Sequence, residues 1–148
     1  MTSTIEIADV VKNVLRDAPL LATLSREERT ALAAKAEVRH AARGERLFRE
    51  GDLSREVLFV ASGRIQCCHH CDGPREWVSA VIRPIGFVGL VDVVDGSARD
   101  GCAQALEATT VVSIPAADIA ALIAGDHTFA AHVAKVLAQE LRATQHMC

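Results

Sequence analysis

Five adjacent side chains in the middle of the chain can all bind a transition metal or take part in thiol chemistry. They form the unbroken run Cys67, Cys68, His69, His70 and Cys71. Thiolate and imidazole are ligands that zinc, copper and iron prefer. The run therefore predicts a site for a transition metal such as zinc, or a redox site. The alternative is that Cys67 and His69 only fill the protein interior, since cysteine is among the most often buried residue types.

The sequence contains none of the residue patterns that mark a common catalytic site. It has no nucleophile elbow around a serine or cysteine, no Walker loop and no G-x-G-x-x-G turn after a strand. No pair of carboxylates lies on a recognisable scaffold. We therefore expect no enzymatic activity.

Composition and charge restrict the partners. The 148 residues are 50% hydrophobic, enough for one core and one domain. The net charge of -3, with both signs interspersed, lacks the concentrated positive field that DNA binding needs, so we expect no DNA contact by this part of the protein. No apolar run approaches the roughly 20 residues of a membrane span, and the N-terminus lacks the order of a signal peptide, which predicts a cytoplasmic protein without membrane contact.

The five cysteines do not follow the even, spread pattern of a secreted disulfide scaffold. Three of them are crowded into positions 67, 68 and 71. We therefore expect free, redox-active or metal-bound thiols.

Helices are predicted at both ends of the chain. Residues 5–36 read as helical with a break at Ala18-Pro19, and Ser25 with Glu28 forms a capping box that starts the second helix. After Pro115, a short helix over 116–124 and a longer one from about His127 are expected.

Between the helices, residues 38–114 contain short apolar runs separated by glycine and proline corners. Such runs are typical of antiparallel strands, and no helical crossovers for a parallel sheet are visible. The predicted fold is mainly β with flanking helices, a double-stranded β-roll (jelly roll). We expect one structural domain with N-terminal helices over 1–36, a roll over 37–115 and C-terminal helices over 116–148.

Several segments of the roll match the motifs of one known domain family. Gly44-Glu-Arg-Leu-Phe-Arg-Glu-Gly51-Asp52 has the form of a G-x-x-[LI]-F-x-x-G-[DE] turn, and Val57-Leu-Phe-Val-Ala-Ser-Gly63 has the form of a strand that ends in a glycine corner. Phe87-Val-Gly89, then Arg99, then Ala103 to Pro115 follow in the same order. Together these segments resemble the cyclic-nucleotide-binding domains of the Crp/Fnr-type transcription regulators, with the last ones similar to the phosphate-binding cassette and the strand after it, closest to the Fnr branch.

The resemblance implies a cassette that binds a small effector, formed by Gly89, Leu90, Arg99 and Asp100. A cyclic nucleotide needs amide donors and an arginine for its phosphate, and a glutamate for its ribose hydroxyl. Leu90 stands at the glutamate position, and the Asp100 carboxylate would repel a phosphate. Ordinary cyclic AMP sensing is therefore disfavoured. The other interpretation, which we prefer, makes Arg99 a solvated loop residue and Gly89 a corner glycine.

The same resemblance places the Cys67–Cys71 run on one arm of the central hairpin. Because side chains alternate along a strand, Cys67, His69 and Cys71 would face one way, and Cys68 with His70 the other. Cys102 lies far along the chain and is not expected to join them. In Fnr the cluster cysteines precede the roll in an N-terminal extension, so no iron–sulfur cluster of that type is expected.

The terminal helix carries an apolar stripe of Phe129, Val133, Val136, Leu137 and Leu141, which needs a partner surface. That partner is the domain's own roll or a second copy, and the resemblance implies a dimerisation helix that leads to a helix-turn-helix domain. The sequence stops about where the hinge to that domain would lie. His127, His132 and His146 on this helix are weak candidates for haem ligands, since some relatives bind haem between roll and helix, where His132 could reach it. A lone helical histidine is nonetheless more often solvated.

Three functions stay open. The first is an effector-sensing domain of a Crp/Fnr-like regulator, and the second is a divergent cyclic-nucleotide-binding module. The third is a cupin-like metalloprotein, which would need a His-x-His motif and a glutamate converging inside the barrel. No His-x-His motif is present, and the one close pair, His69 and His70, is adjacent in sequence.

Overall fold

Two four-stranded antiparallel sheets form the centre of the molecule and confirm the predicted β-roll. The computed structural model describes residues 4–146. The strands are β1 (Glu37–Ala41), β2 (Arg46–Phe48), β3 (Glu56–Ser62), β4 (Ile65–His69), β5 (Trp77–Ile82), β6 (Phe87–Val88), β7 (Cys102–Ala105) and β8 (Thr109–Pro115). One sheet has the order β1-β8-β3-β6 and the other β2-β7-β4-β5. We call them the first and the second sheet.

Helices cover the outer side of the first sheet. They are α1 (Thr4–Asp17), α2 (Arg26–Lys35), α4 (Ala116–Gly125) and α5 (His127–His146), with a 3-10 turn at Pro19–Leu21. A short helix, α3 (Leu90–Asp95), lies inside the β region. Within residues 4–146, none of these helices combines the length and apolar character needed to cross a bilayer.

The predicted helix boundaries agree with the structure because the local signals are strong. Ser25 accepts a hydrogen bond of 3.1 Å from the Glu28 amide, and the Glu28 carboxylate accepts one of 2.8 Å from the Ser25 amide. This capping box begins α2. Pro115 is the N-cap residue of α4.

The sequence of the central strand β3 is apolar without alternation because both faces of the strand are covered. Val57 and Phe59 pack against the helices, whereas Leu58 and Val60 face the interior of the roll. All four side chains are fully buried. A strand that is covered on both faces loses the polar half of the usual pattern.

The hairpin of β4 and β5 positions most of the cysteines. Cys67 pairs with Ala80 and Cys68 with Val78, so β5 carries one extra residue, Ser79. Against β7 the register is regular and sets Cys68 opposite Cys102. Strand β4 ends at His69, and the next residues form the turn.

Candidate functional site

Helix α3 and the loop after it form the segment that corresponds to the predicted cassette. Gly89 begins the helix and Gly96 ends it, both in the left-handed region with φ of 88° and 74°. A Cβ atom on Gly89 would lie 2.5 Å from Arg99 Nη1, so this position needs glycine for its backbone and for its packing. Leu90 is buried in the helix-side core, where it cannot accept a hydrogen bond.

Arg99 lies in the interior, which makes the interpretation as a solvated loop residue wrong. Its side chain is only 1% exposed. It donates a hydrogen bond of 2.7 Å to the Gly89 carbonyl oxygen and another to the carbonyl of Glu56. Its guanidinium also lies 4.1 Å from the centre of the Phe48 ring. Arg99 therefore joins α3, β3 and β2 through main-chain and ring contacts.

Asp92 is the counter-charge of this buried arginine. Its Oδ2 atom lies 3.5 Å from Arg99 Nη1. Burial and the nearby Asp100 carboxylate raise the pKa of Asp92, and Arg99 opposes that shift. Sequence reasoning missed the role of Asp92, because an aspartate on a six-residue helix carries no distinguishing pattern. It also missed the contacts that Arg99 makes with Glu56 and Phe48.

A cavity of about 290 Å³ opens beside Arg99. Its walls hold three arginines and two acidic residues, Arg39, Arg55, Arg99, Asp52 and Glu56. Arg39 donates a hydrogen bond of 2.8 Å to Glu56, so part of this charge is already neutralised. Within residues 4–146, the Nε atom of Arg99 is buried without a hydrogen-bond partner. The cavity is thus polar with an excess of one positive charge, which suits a small anion.

Asp100 lies at the exposed end of the same segment. Its carbonyl oxygen is 3.2 Å from His69 Nδ1. Its carboxylate is close enough to raise the pKa values of both Asp92 and Cys67. The negative charge predicted beside the cassette therefore affects the ionisation of groups in the protein interior.

The cysteines do not alternate in the way the sequence analysis predicts. Cys67 packs in the roll interior with Ile65 and Ala103, and Cys68 lies on the opposite face of the second sheet. Cys71, however, lies beyond the end of the strand, and its Sγ atom is 3.4 Å from the Cys68 carbonyl oxygen. The prediction that Cys71 faces the same way as Cys67 and His69 is wrong because the turn begins at His70, whose φ is 52°.

Cys71 and Cys102 form a disulfide with a Cα–Cα distance of 6.5 Å. The expectation that Cys102 lies apart from the cluster is therefore wrong, since the pairing of β4 with β7 brings residues 31 positions apart together. Cys67 and Cys68 are free thiols. Burial raises the pKa of Cys67 to about 12.

Within residues 4–146, no three His, Cys, Asp or Glu side chains are placed to hold a metal ion. The five residues Cys67, Cys68, His69, His70 and Cys71 therefore do not converge on one site in this conformation. His70 is exposed in the turn, and His69 stacks on Trp77 with ring centroids 4.5 Å apart and an interplanar angle of 18°. The stack joins the two strands of the hairpin, since His69 and Trp77 are paired in the β4–β5 register.

The apolar stripe of the terminal helix divides into two parts. Phe129 and Val133 are buried in the domain's own core, with Val136 and Leu137 packed partly against it. Leu141 is 59% exposed. The domain's own helices and first sheet therefore satisfy the first part of the stripe, and only its end is available to a second copy.

Of the histidines considered for haem, His132 contacts the 3-10 turn at the N-terminal end of the fold. His132 Nε2 lies 2.8 Å from the carbonyl oxygen of Pro19 in the 3-10 turn. It lines a cavity of about 360 Å³ together with Thr23 and His127, between that turn and α5. The His132 ring is therefore held at the 3-10 turn in this structure, and haem binding at His132 stays a prediction. The side chain of His146 lies outside the described residues.

Comparison with known proteins agrees with this geometry. The family model described as cyclic nucleotide-binding domain matches residues 38–126. The chain is 28% identical over 128 residues to the cyclic AMP receptor protein of Thermus thermophilus, and 31% identical over 105 residues to the transcriptional activator protein FnrA of Stutzerimonas stutzeri. These alignments cover 86% and 71% of this chain but only 59% and 43% of the relatives, so the chain spans about half the length of both.

Solved structures support the same fold. The crystal structure of the Thermus thermophilus catabolite activator protein superposes with a TM-score of 0.74 at 28% identity, covering 88% of this chain and 61% of that one. The sensor domain of the transcriptional regulator DNR from Pseudomonas aeruginosa gives a TM-score of 0.80 at 15% identity, covering 95% of both chains. The second likeness is one of fold alone.

Proposed function

The chain belongs to the cyclic nucleotide-binding domain family, and we propose that it is the effector-sensing part of a Crp/Fnr-like transcription regulator whose effector is not cyclic AMP. Its curated relatives are transcription regulators, and nothing about this site favours the cupin alternative. DNA binding would belong to a part of the regulator beyond this domain.

The observation that carries this proposal is the engagement of Arg99. To bind a phosphate, Arg99 would have to give up its hydrogen bonds to the carbonyls of Gly89 and Glu56. Its ion pair with Asp92 would weaken as well. Hydrogen bonds to charged groups contribute about 1.5–3 kcal/mol each, so a phosphate must replace several favourable contacts before it gains any.

Leu90 adds a second cost. A ribose 2′-hydroxyl that is buried without an acceptor costs roughly 1–3 kcal/mol, and Leu90 offers none. The Asp100 carboxylate adds repulsion at the same end of the cassette. Together these features favour an effector that lacks a ribose cyclic phosphate.

A second candidate, a divergent cyclic-nucleotide-binding module, is favoured by one observation. Arg99 keeps a buried Nε donor without a partner among the described residues, beside a cavity with an excess of positive charge. An anionic ligand that reached this donor could hold the arginine in a different position.

Titration calorimetry with cyclic AMP and cyclic GMP separates the two candidates. Under the main proposal both nucleotides bind no better than roughly millimolar. Asp100→Ser should strengthen the weak binding, whereas the control Asp95→Ser, which removes the same charge from the end of α3, should change it less. A micromolar dissociation constant for the unmodified protein would overturn the main proposal and favour the second candidate.

We also propose that α5 forms a homodimer contact through its distal part. The support is the exposed Leu141 at the end of a helix that the family resemblance identifies as a dimerisation helix. Phe129 and Val133 belong to the monomer core and cannot serve this contact.

A further inference from the structure

We propose that Cys71 and Cys102 form a reversible thiol–disulfide switch that holds the segment following Arg99 against the β4–β5 hairpin. The two residues are 31 positions apart in sequence and bonded in the structure. One lies in the hairpin turn, and the other begins β7 three residues after Arg99. Opening the bond would release one of the ties between these two parts of the roll.

The segment Asp100–Cys102 packs directly on the end of β4. A Cβ atom at Gly101 would overlap the Cys68 carbonyl oxygen and lie 3.3 Å from His69 Nδ1. The Asp100 carbonyl contacts the same histidine ring. The disulfide therefore links two segments that already pack closely, Asp100–Cys102 and the end of β4. Its two sulfur atoms need to move little to form the bond again after reduction.

The same segment holds the backbone of Arg99. The Arg99 amide donates to the Asp52 carbonyl, and the Gly51 amide donates to the Arg99 carbonyl, both at 2.8 Å. Cys102 follows this anchor along one short stretch of chain. A change at Cys102 can therefore reach the residue that contacts α3 and lines the polar cavity.

The hairpin turn is tied to neighbouring elements on its other side. Arg46 and Asp72 form an ion pair of 2.6 Å, and the His70 amide donates to Glu50 at 3.3 Å. These contacts keep the turn in place while the bridge opens. Movement on reduction is thus expected in the cassette segment more than in the turn.

Only one cysteine of the pair can be reached readily from solution. Cys71 is half-buried, whereas Cys102 is 4% exposed. Cys68 lies nearby, but its thiol donates to Glu76 at 3.3 Å, and burial together with this bond raises its pKa. A protonated thiol is a poor nucleophile, so Cys68 does not compete for the bridge.

The reaction is an ordinary exchange with a small disulfide such as glutathione disulfide. The Cys71 thiolate attacks one sulfur, forms a mixed disulfide and releases one glutathione thiolate. The Cys102 thiolate then attacks Cys71 Sγ and releases the second glutathione. The protein loses two protons and two electrons, and one glutathione disulfide becomes two glutathione thiols. Reduction by a small dithiol reverses these steps, with attack first at Cys71.

The chemistry of the bridge is independent of any effector, whereas its regulatory meaning rests on the proposed sensing function. The test therefore uses the full chain without effector, and its outcome is separate from the calorimetry above. The first measurement is peptide mapping of the native protein after glutathione disulfide and after dithiothreitol. We expect a Cys71–Cys102 linked peptide that disappears on reduction without denaturant and returns on reoxidation.

The second measurement is amide hydrogen exchange of the oxidised and reduced protein. We expect faster exchange over residues 99–104 after reduction, and little change in β1 or α2. Cys71→Ser should exchange like the reduced protein in both conditions, and Cys67→Ser should behave like the unmodified chain. If Cys71→Ser does not fold, the comparison of the two redox states of the unmodified protein still decides the matter.

Three results would overturn the proposal. One is alkylation of both Cys71 and Cys102 in protein equilibrated with glutathione disulfide. Another is a bond that resists reductant until the protein is denatured, since that bond would be purely structural. The third is identical exchange over residues 99–104 in the two redox states.

Discussion

The guanidinium of Arg99 lies directly against the backbone of Gly89, donating to its carbonyl oxygen at 2.7 Å in the space where any other residue would place a side chain. The glycine at the start of α3 and the arginine at the end of the following loop are therefore one structural unit. Each makes the position of the other possible.

Replacing Gly89 by alanine should destabilise the domain more than replacing Gly96. Both glycines have positive φ, which an alanine adopts only with strain of about 1 kcal/mol or more. A Cβ at Gly89 also meets the Arg99 guanidinium, whereas none of the described atoms lies within 4 Å of a Cβ at Gly96. Chemical denaturation should show the larger loss for Gly89→Ala, and equal losses would argue against the close packing of Arg99.

Asp92 should make the protein less stable as the pH rises. Burial raises its pKa above the ordinary value of an aspartate, 3.8, in the folded state. The folded protein therefore binds this proton more tightly, and the associated stability is lost from about pH 3.8 upward through the raised pKa. In Asp92→Asn this loss is absent.

The measurement is the free energy of unfolding of Asp92→Asn minus that of the unmodified protein. This difference should increase with pH over that window. The control variant is Asp9→Asn, which makes the same substitution at an exposed position of α1. A difference that falls with pH would mean that the Arg99 charge outweighs burial.

Cys67 should react slowly with alkylating reagents. Burial raises its pKa to about 12 from the ordinary thiol value of 9.0, which lowers the thiolate fraction near pH 8 by about a thousandfold. Iodoacetamide labelling followed by mass spectrometry should show modification of Cys67 at least about a hundredfold slower than that of a free peptide thiol. Labelling as fast as the peptide would show that the thiol is neither buried nor held protonated.

Zinc binding by the Cys67–Cys71 segment stays a prediction, and it requires the Cys71–Cys102 disulfide to be reduced. The oxidised protein should bind no stoichiometric zinc, because Cys71 and Cys102 then have no thiolate to offer. If the predicted metal site exists, it should appear only after reduction and weaken on acidification. Elemental analysis of the two redox states checks this, and stoichiometric zinc in the oxidised protein would require ligands outside this segment.

Dimerisation should depend on the distal part of α5. Leu141→Glu should shift the protein toward monomer in analytical ultracentrifugation, because it places a charge on an exposed apolar position. Gln139→Glu adds the same charge to another side of the helix and should have little effect. Truncating the chain after Gly125 would not test this dimer contact, since it also removes Phe129 and Val133 from the monomer core. A Leu141→Glu protein that dimerises as before would place the contact elsewhere.

Local patterns in the sequence were sufficient to predict the fold class. The capping box at Ser25, the break at Pro19 and the glycine corners of the roll depend on a few adjacent residues, so the elements they delimit agree with the structure. Gly89 and Arg99 could be assigned to the cassette because the family resemblance covers their surroundings.

The roles of Arg99 and Cys102 were decided by the tertiary structure alone. Burial of Arg99 depends on Phe48, Glu56 and Asp92, which come from three separate elements and share no local pattern. Cys102 meets Cys71 only because β7 pairs with β4 in one particular register. The sequence determines the type of a side chain and its neighbours along the chain. Its exposure to water and its contacts with distant residues are decided only when distant strands pair and exclude water.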